Sequence, residues 1–81
     1  MPNTLYDPDH EALVAMLREL RLKKRLHQAD LAARLGRSQS FVSNVEGGQR
    51  RLDLLELRDW CRAVDADVVS VVRKWTKATG R

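Results

Sequence analysis

Residues 28–48 read QADLAARLGRSQSFVSNVEGG, and this stretch decides the fold. On both sides of Gly36, apolar residues recur at three- and four-residue steps, which is the spacing of one helical face. Gly36 is suited to end a first short helix over 28–35, because glycine readily adopts the left-handed conformation of a helix end. Ser38 is a good N-cap for a second short helix over 39–46. Two short helices joined by so tight a turn predict a helix-turn-helix.

The flanking sequence predicts three further helices and no strand. Asp7 and Pro8 are typical of a helix start, and Asp53 with Glu56 forms a capping-box pattern that opens the fourth helix. We therefore predict an all-α fold, a compact five-helix bundle in a single domain. The predicted parts are a flexible tail at 1–7, a first helix at 8–24, a last helix at 68–77, a domain spanning 8–77, and a frayed end at 78–81.

Positive charge is concentrated in the middle of this 81-residue chain, whose net charge is +4. Residues 18–51 carry nine Lys or Arg against three acidic residues, whereas residues 1–17 contain acidic residues but no Lys or Arg. A basic centre with an acidic start indicates a face that binds a polyanion. No apolar run is long enough to span a membrane, and the first residues lack a basic segment followed by an apolar stretch, so we expect neither a membrane span nor a secretory signal.

Chemistry-bearing residues are few and scattered. Cys61 is the only cysteine, so it forms no internal disulfide, and with His10 and His27 it lacks the spacing of a zinc site. A lone thiol fits a reducing cytoplasm, where Cys61 serves as a small core residue. There is no nucleophile with a matched base and no glycine-rich phosphate loop. We predict a non-enzyme with no metal and no cofactor.

The helix over 39–46 has an outer face of short amide and hydroxyl side chains. A solvated helix face usually carries Lys and Glu, which favour helix and solubility, but here no charge occurs before Glu46. Amides pair with adenine in bidentate fashion, and hydroxyls donate to or accept from several base edges. A merely solvated face is the alternative. The candidate base-reading residues are Gln39, Ser40, Ser43 and Asn44.

The combined spacing resembles the phage-repressor and Cro type of helix-turn-helix regulators, also called the XRE family. The resemblance covers residues 17–72. It implies a lambda-repressor-like bundle that binds double-stranded DNA sequence-specifically, with helix 39–46 in the major groove. It also implies a repressor-like transcriptional regulator that acts as a homodimer on a palindromic operator. The residues that carry it are 28–32, Leu35, Gly36, 38–43, Val45, Glu46, Gly48 and Arg50.

The resemblance implies roles for single residues. Gln28 opens the first motif helix and would hold a DNA phosphate, in agreement with the attraction of helix N-termini for phosphate. Glu46 would pair with Arg21 of the first helix and clamp the second motif helix to it. The chain departs from the family pattern at Arg25, usually glycine, which makes the end of the first helix uncertain. It departs again at His27, usually Ser or Thr, which weakens the next cap.

Further basic residues flank the motif where a phosphate backbone would pass. Any single one could simply be solvated, but as a group they favour backbone contact, which positions a protein on DNA while base contacts specify the sequence. Phe41 is open to three interpretations: inward packing, which we favour, contact with a thymine methyl, or contact with a partner subunit. The candidate phosphate-binding residues besides Gln28 are Lys23, Arg37, Arg50 and Arg51.

The last helix carries more apolar surface than a small bundle easily hides. We expect it to form the dimer interface, and the alternative is that it only closes the monomer core. The candidate interface residues are Val68, Val71, Val72 and Trp75.

A different function stays open on the same fold, that of an antitoxin or similar module that binds a toxin or other protein partner and autoregulates its own synthesis. Either function places the protein in the cytoplasm, at the nucleoid when it is bound to DNA.

Overall fold

The structure is a computed structural model that describes residues 7–80. Five α-helices and no strand occur in this part of the chain, which confirms the all-α prediction. The predicted flexible tail lies outside the described residues except for Asp7. The helices are α1 (Pro8–Lys23), α2 (Gln28–Leu35), α3 (Gln39–Glu46), α4 (Leu54–Ala63) and α5 (Val68–Thr79).

Side-chain caps fix where the helices begin. The Asp7 carboxylate accepts from the backbone N–H of Asp9 at 2.9 Å, and the Ser38 hydroxyl accepts from the N–H of Phe41 at 3.2 Å. At α2, the N-cap His27 donates its own N–H to the Asp30 carboxylate at 2.8 Å. Each cap satisfies a backbone donor that has no partner inside its helix. The local sequence therefore determines where these helices begin.

Left-handed residues fix where the helices end. Gly36 has φ +66°, but Arg25 and Asp65 adopt nearly the same conformation, at φ +57° and +56°. After α1 the N–H of Arg25 donates to the Leu22 carbonyl at 2.9 Å, and the next N–H along the chain donates to a carbonyl one residue earlier. This is the hydrogen-bond pattern of a Schellman end. Because Arg25 takes the glycine position, α1 ends at Lys23, one residue before the predicted end.

The last helix is two residues longer than the predicted helix at 68–77. It continues through residues 78 and 79, and Gly80 ends it in the left-handed conformation at φ +71°. The hydroxyl of Thr79 donates to the Trp75 carbonyl at 2.9 Å. Glycine at the C-cap therefore sets this end, two residues after the predicted end at position 77.

The core lies where α3 packs against α1 and α2, with α4 packed on α2 and α5. Truncating a large buried side chain in such a core costs about 2–5 kcal/mol, because transfer and cavity terms add. The largest fully buried side chains belong to Leu17, Leu31, Val42, Val45, Trp60 and Cys61.

The apolar face of α5 is used mainly inside the monomer. Val71 is buried, so its prediction as a dimer-interface residue is wrong, because a side chain already enclosed by its own chain has no surface to offer a partner. Val68 and Val72 pack against the core but keep part of their surface. The indole N–H of Trp75 donates to the carbonyl of Asp9 at 2.7 Å and ties α5 to the start of α1. For these three residues, a place at an interface stays a prediction.

Candidate nucleic-acid interface

The outer face of α3 is polar and exposed along its whole length. Val42 and Val45 turn inward and are almost completely buried, which fixes the rotation of the helix. Neither the first nor the last turn of the face carries a basic residue, and its first turn carries no acid. The four predicted base-reading residues Gln39, Ser40, Ser43 and Asn44 are all exposed. They are therefore on one accessible surface.

At the C-terminal end of α3, a buried ion pair joins the helix to α1. Arg21 donates through Nε to Oε2 of Glu46 at 2.7 Å and through Nη2 to Oε1 at 2.9 Å. Its Nη1 donates to the Leu26 carbonyl at 2.7 Å. The two side chains are only 8% and 4% exposed. The structure thus brings together the pair that the resemblance implied, in a bidentate geometry that fixes direction as well as distance.

Gln28 lies beside this pair at the first residue of α2. Its side-chain amide donates to Oε1 of Glu46 at 3.1 Å, so it belongs to the same network. Gln28 and Ser43 also line one shallow depression next to Gly47. A side-chain amide has two N–H donors, and only one of them is needed for Glu46. Gln28 therefore remains suited to hold a phosphate next to the outer face of α3.

At the other end of α3, two predicted phosphate-binding arginines meet on one carboxylate. Arg50 donates to both oxygens of Glu56, at 3.0 and 2.8 Å, and Arg37 donates to Oε2 at 3.3 Å. Both guanidinium groups also lie over the ring of Phe41, at 3.9 and 4.9 Å from its centroid. We call these four residues, Glu56, Arg37, Arg50 and Phe41, the Glu56 cluster. Phe41 is buried, which is the inward packing that the sequence favoured.

The charge on Glu56 is strongly favoured. The hydrogen bonds from Arg50 lower the pKa of Glu56 to about 2, with help from the N–H of Asp53 and from Arg37. The same carboxylate accepts from the N–H of Asp53 at 3.0 Å, and the N–H of Glu56 donates to the Asp53 carboxylate at 2.8 Å, which completes the α4 capping box. The spacing of Asp53 and Glu56 predicted the cap but not the arginines, because these lie 6 and 19 residues from Glu56 along the chain.

The remaining predicted phosphate-binding residues lie outside this cluster. Arg51 pairs with Asp7 at 3.1 Å, and this hydrogen bond holds the pKa of Asp7 below its ordinary value. Lys23 lines a groove between α1 and α5 that also includes Lys74 and contains no residue of α3. The structure therefore brings Arg37 and Arg50 together and leaves Lys23 on a different surface.

Within residues 7–80 there is no cluster of His, Cys, Asp and Glu that could hold a metal ion, and no helix long and apolar enough to cross a membrane. Cys61 is buried, and burial raises the pKa of its thiol.

Comparison with known proteins identifies the family. A family model described as a helix-turn-helix domain matches residues 12–73. A solved structure described as an XRE-family like protein from Pseudomonas syringae pv. tomato is 42% identical, with a TM-score of 0.83, covering 88% of this chain and 87% of that one. The chain belongs to the XRE-type family of helix-turn-helix DNA-binding regulators.

Two further relatives of this XRE-type domain differ in length. The clp gene regulator ClgR of Corynebacterium glutamicum is 27% identical, with a TM-score of 0.79, covering 91% of this chain and 79% of that one. The HTH-type transcriptional regulator y4dL of Sinorhizobium fredii is 34% identical over 64 residues, which are 79% of this chain. The match covers 33% of that relative, so the XRE-type domain spans about a third of its length.

Proposed function

We propose that the protein binds double-stranded DNA sequence-specifically as a repressor-like transcriptional regulator, with α3 in the major groove. The observation that carries this proposal is the outer face of α3, which is exposed and lined by amides and hydroxyls. The major groove admits one α-helix, and its base edges present donors and acceptors that such side chains match. The inward valines and the Arg21–Glu46 pair hold this face outward.

Base reading falls to two successive turns of α3. Gln39 and Ser40 open the helix, and Ser43 and Asn44 follow one turn later on the same face. In helix-turn-helix docking the N-terminal residues of the second helix contact base edges. We therefore assign the first contacts to Gln39 and Ser40, and later ones to Ser43 and Asn44.

Phosphate contacts flank this face on both sides. Gln28 lies beside the C-terminal half of α3, and the arginines of the Glu56 cluster lie beside its first turn. Arg51 and Lys23 would add contacts farther out. Such contacts set the register and most of the affinity, and they make binding depend steeply on salt.

The functional unit is proposed to be a homodimer on a palindromic operator. The half-sites of such operators lie one helical turn apart, roughly 34–36 Å. One protomer measures 33 × 27 × 21 Å, a size that allows two protomers to occupy adjacent half-sites. In the cell, such a dimer would act in the cytoplasm, at the nucleoid. The partly exposed apolar side chains that we propose for contact with a second copy are Val68, Val72 and Trp75, and we add Leu54, Leu55 and Val69 because they are exposed.

Selection of bound sites from random duplex DNA, followed by footprinting, tests the proposal. We expect a palindrome with two half-sites one turn apart. Replacing Gln39 with Ala should cost about 1–3 kcal/mol at one base position in each half-site and relax specificity there. Thr76→Ala, on α5, is the matched control and should leave the selected sequences unchanged. Selection without enrichment would contradict the proposal, and an unchanged site for the Gln39 variant would contradict the placement of α3.

A further inference from the structure

The carboxylate of Glu56 is surrounded by donors from three separate segments. Oε1 accepts from Arg50 and from the N–H of Asp53, while Oε2 accepts from Arg50 and Arg37. These donors come from the turn between α2 and α3, from the loop after α3, and from the N-cap of α4. One anion therefore fixes the relative positions of all three segments beside the first turn of α3.

Glu56 holds the two arginines but leaves part of each guanidinium group accessible to solvent. Glu56 is 17% exposed, whereas Arg37 and Arg50 remain 43% and 40% exposed. A guanidinium has five N–H donors in a rigid fork. Glu56 engages one from Arg37 and two from Arg50, and the Arg51 carbonyl accepts a third from Arg50 at 2.6 Å. Both guanidinium groups stack on the ring of Phe41, which is itself part of α3. Solvent-facing donors are thus presented at fixed places relative to the base-reading residues.

We infer that Glu56 is a positioning residue for DNA recognition, which holds Arg37 and Arg50 so that they meet phosphates only when α3 is in its correct register. The inference rests on the proposed DNA binding and adds a source of specificity that touches no base. Its physical basis is that a guanidinium free to move can pair with a phosphate in many registers, whereas a fixed one suits a single register. Glu56 also cancels one of the two positive charges, which limits attraction to unrelated DNA.

The test compares affinity for the selected site with affinity for an unrelated duplex, over a series of salt concentrations. In Glu56→Gln, side-chain length and an acceptor for the cap are kept, but the negative charge and the two-oxygen acceptor that hold both arginines are lost. We expect the ratio of specific to non-specific affinity to fall about tenfold, and non-specific binding to gain about one unit of salt slope. The control Asp59→Asn makes the same charge change at an exposed position of α4, outside the proposed DNA contacts, and should leave the ratio unchanged.

A second background shows whether Glu56 acts through the arginines. In Arg37→Gln/Arg50→Gln protein, measured at low salt, adding Glu56→Gln should change the ratio less than about twofold, because nothing remains to be positioned. Circular dichroism verifies folding, and Glu56→Asp, too short to reach both arginines, replaces Glu56→Gln in both backgrounds if the latter does not fold. An unchanged ratio in the Glu56 variant, or an equal loss in the arginine-free background, overturns this inference alone. A wild-type protein that selects no site overturns the proposed function with it.

Discussion

The two ends of α3 are both held by arginine and glutamate, but in opposite ways. At the C-terminal end, the Arg21–Glu46 pair is 8% and 4% exposed, and Nε and both terminal nitrogens of Arg21 donate within the protein. At the N-terminal end, Glu56 is 17% exposed, while its two arginines keep about two-fifths of their side chains exposed. The same chemistry thus fastens one end and leaves cationic groups available at the other.

This difference teaches that the burial of an ion pair, rather than its distance, decides how much of its charge remains accessible to a ligand. The distances overlap, at 2.7 Å for the first pair and 2.8 Å for Arg50 with Glu56. A buried charge that loses its partner stays without compensation, whereas an exposed one is resolvated. Substitutions at the two ends should therefore affect stability to very different degrees.

The largest effect is expected from Glu46→Ala. It leaves the Arg21 guanidinium buried without a counter-ion and removes the acceptor of the Gln28 amide, so the free energy of unfolding should fall by about 3–5 kcal/mol. Urea unfolding at low temperature, followed by circular dichroism, measures the loss. A cost below about 1 kcal/mol would mean that the pair behaves like a surface pair.

The double variant Arg21→Met/Glu46→Leu sharpens this result. Replacing both charges with apolar side chains of similar volume is often neutral or stabilising by about 1–4 kcal/mol relative to the pair. We expect it to be clearly more stable than Glu46→Ala alone. If both variants lose the same stability, the cause is packing around Glu46 rather than the lone charge.

A smaller effect is expected from Glu56→Gln, and it should depend on pH. At pH 7 the loss is about 1 kcal/mol, the value of partly exposed ion pairs, because glutamine still accepts from the N–H of Asp53. Because the arginines depress the folded-state pKa of Glu56 from 4.5 to about 2, its contribution is present above pH 4.5 and lost as the pH falls towards 2. Thermal midpoints of the two proteins should converge over that range. A constant difference would contradict the assignment, and Glu19→Gln provides the charge-matched control.

A gain in stability is expected from Arg25→Gly, which changes the backbone rather than an ion pair. Arg25 adopts φ +57° at the Schellman position after α1, where a side chain with a Cβ is strained. Glycine relieves this strain and should raise the free energy of unfolding by about 0.5–1 kcal/mol, measured by urea unfolding. Arg25→Ala keeps the strain while removing the charge, so it should not reproduce the gain.

The smallest effect is expected at the most exposed pair. Lys24 and Asp65 are joined at 2.8 Å, but their side chains are 40% and 67% exposed. Asp65→Asn removes the charge and keeps a residue that tolerates the left-handed conformation observed at φ +56°. We expect the thermal midpoint to shift by less than about 2 °C. A larger fall would show that exposure is a poor guide to the value of a pair.

Local signals made most of the fold predictable. The caps at Asp7, Ser38 and Asp53, together with apolar periodicity, predicted five helices, and the bounds predicted for the first three and the last differ from the observed ones by at most two residues. The outer face of α3 followed from the same periodicity. The Arg21–Glu46 pair came from family resemblance, because nothing local connects two residues 25 positions apart.

What the sequence did not reveal is the set of contacts made between distant segments. Glu56 was identified as a cap because Asp53 lies three residues before it, while Arg37 reaches it from the turn after α2. The apolar stripe of α5 had the same spacing whether it faced the core or a second copy. Only the packing of α5 on α1 shows that Val71 is buried.

The intrinsic fluorescence of the two tryptophans reports on two different parts of the protein. Trp60 is wholly enclosed, and within residues 7–80 its indole N–H meets no acceptor, whereas Trp75 lies at the seam between the first and last helices. Trp60 should therefore emit at short wavelength and resist aqueous quenchers, and Trp75 should not. Loosening of the contact between α1 and α5 would change the quenchable emission, and opening of the core would change the protected emission, so the order of the two events on heating could be followed without attaching a dye.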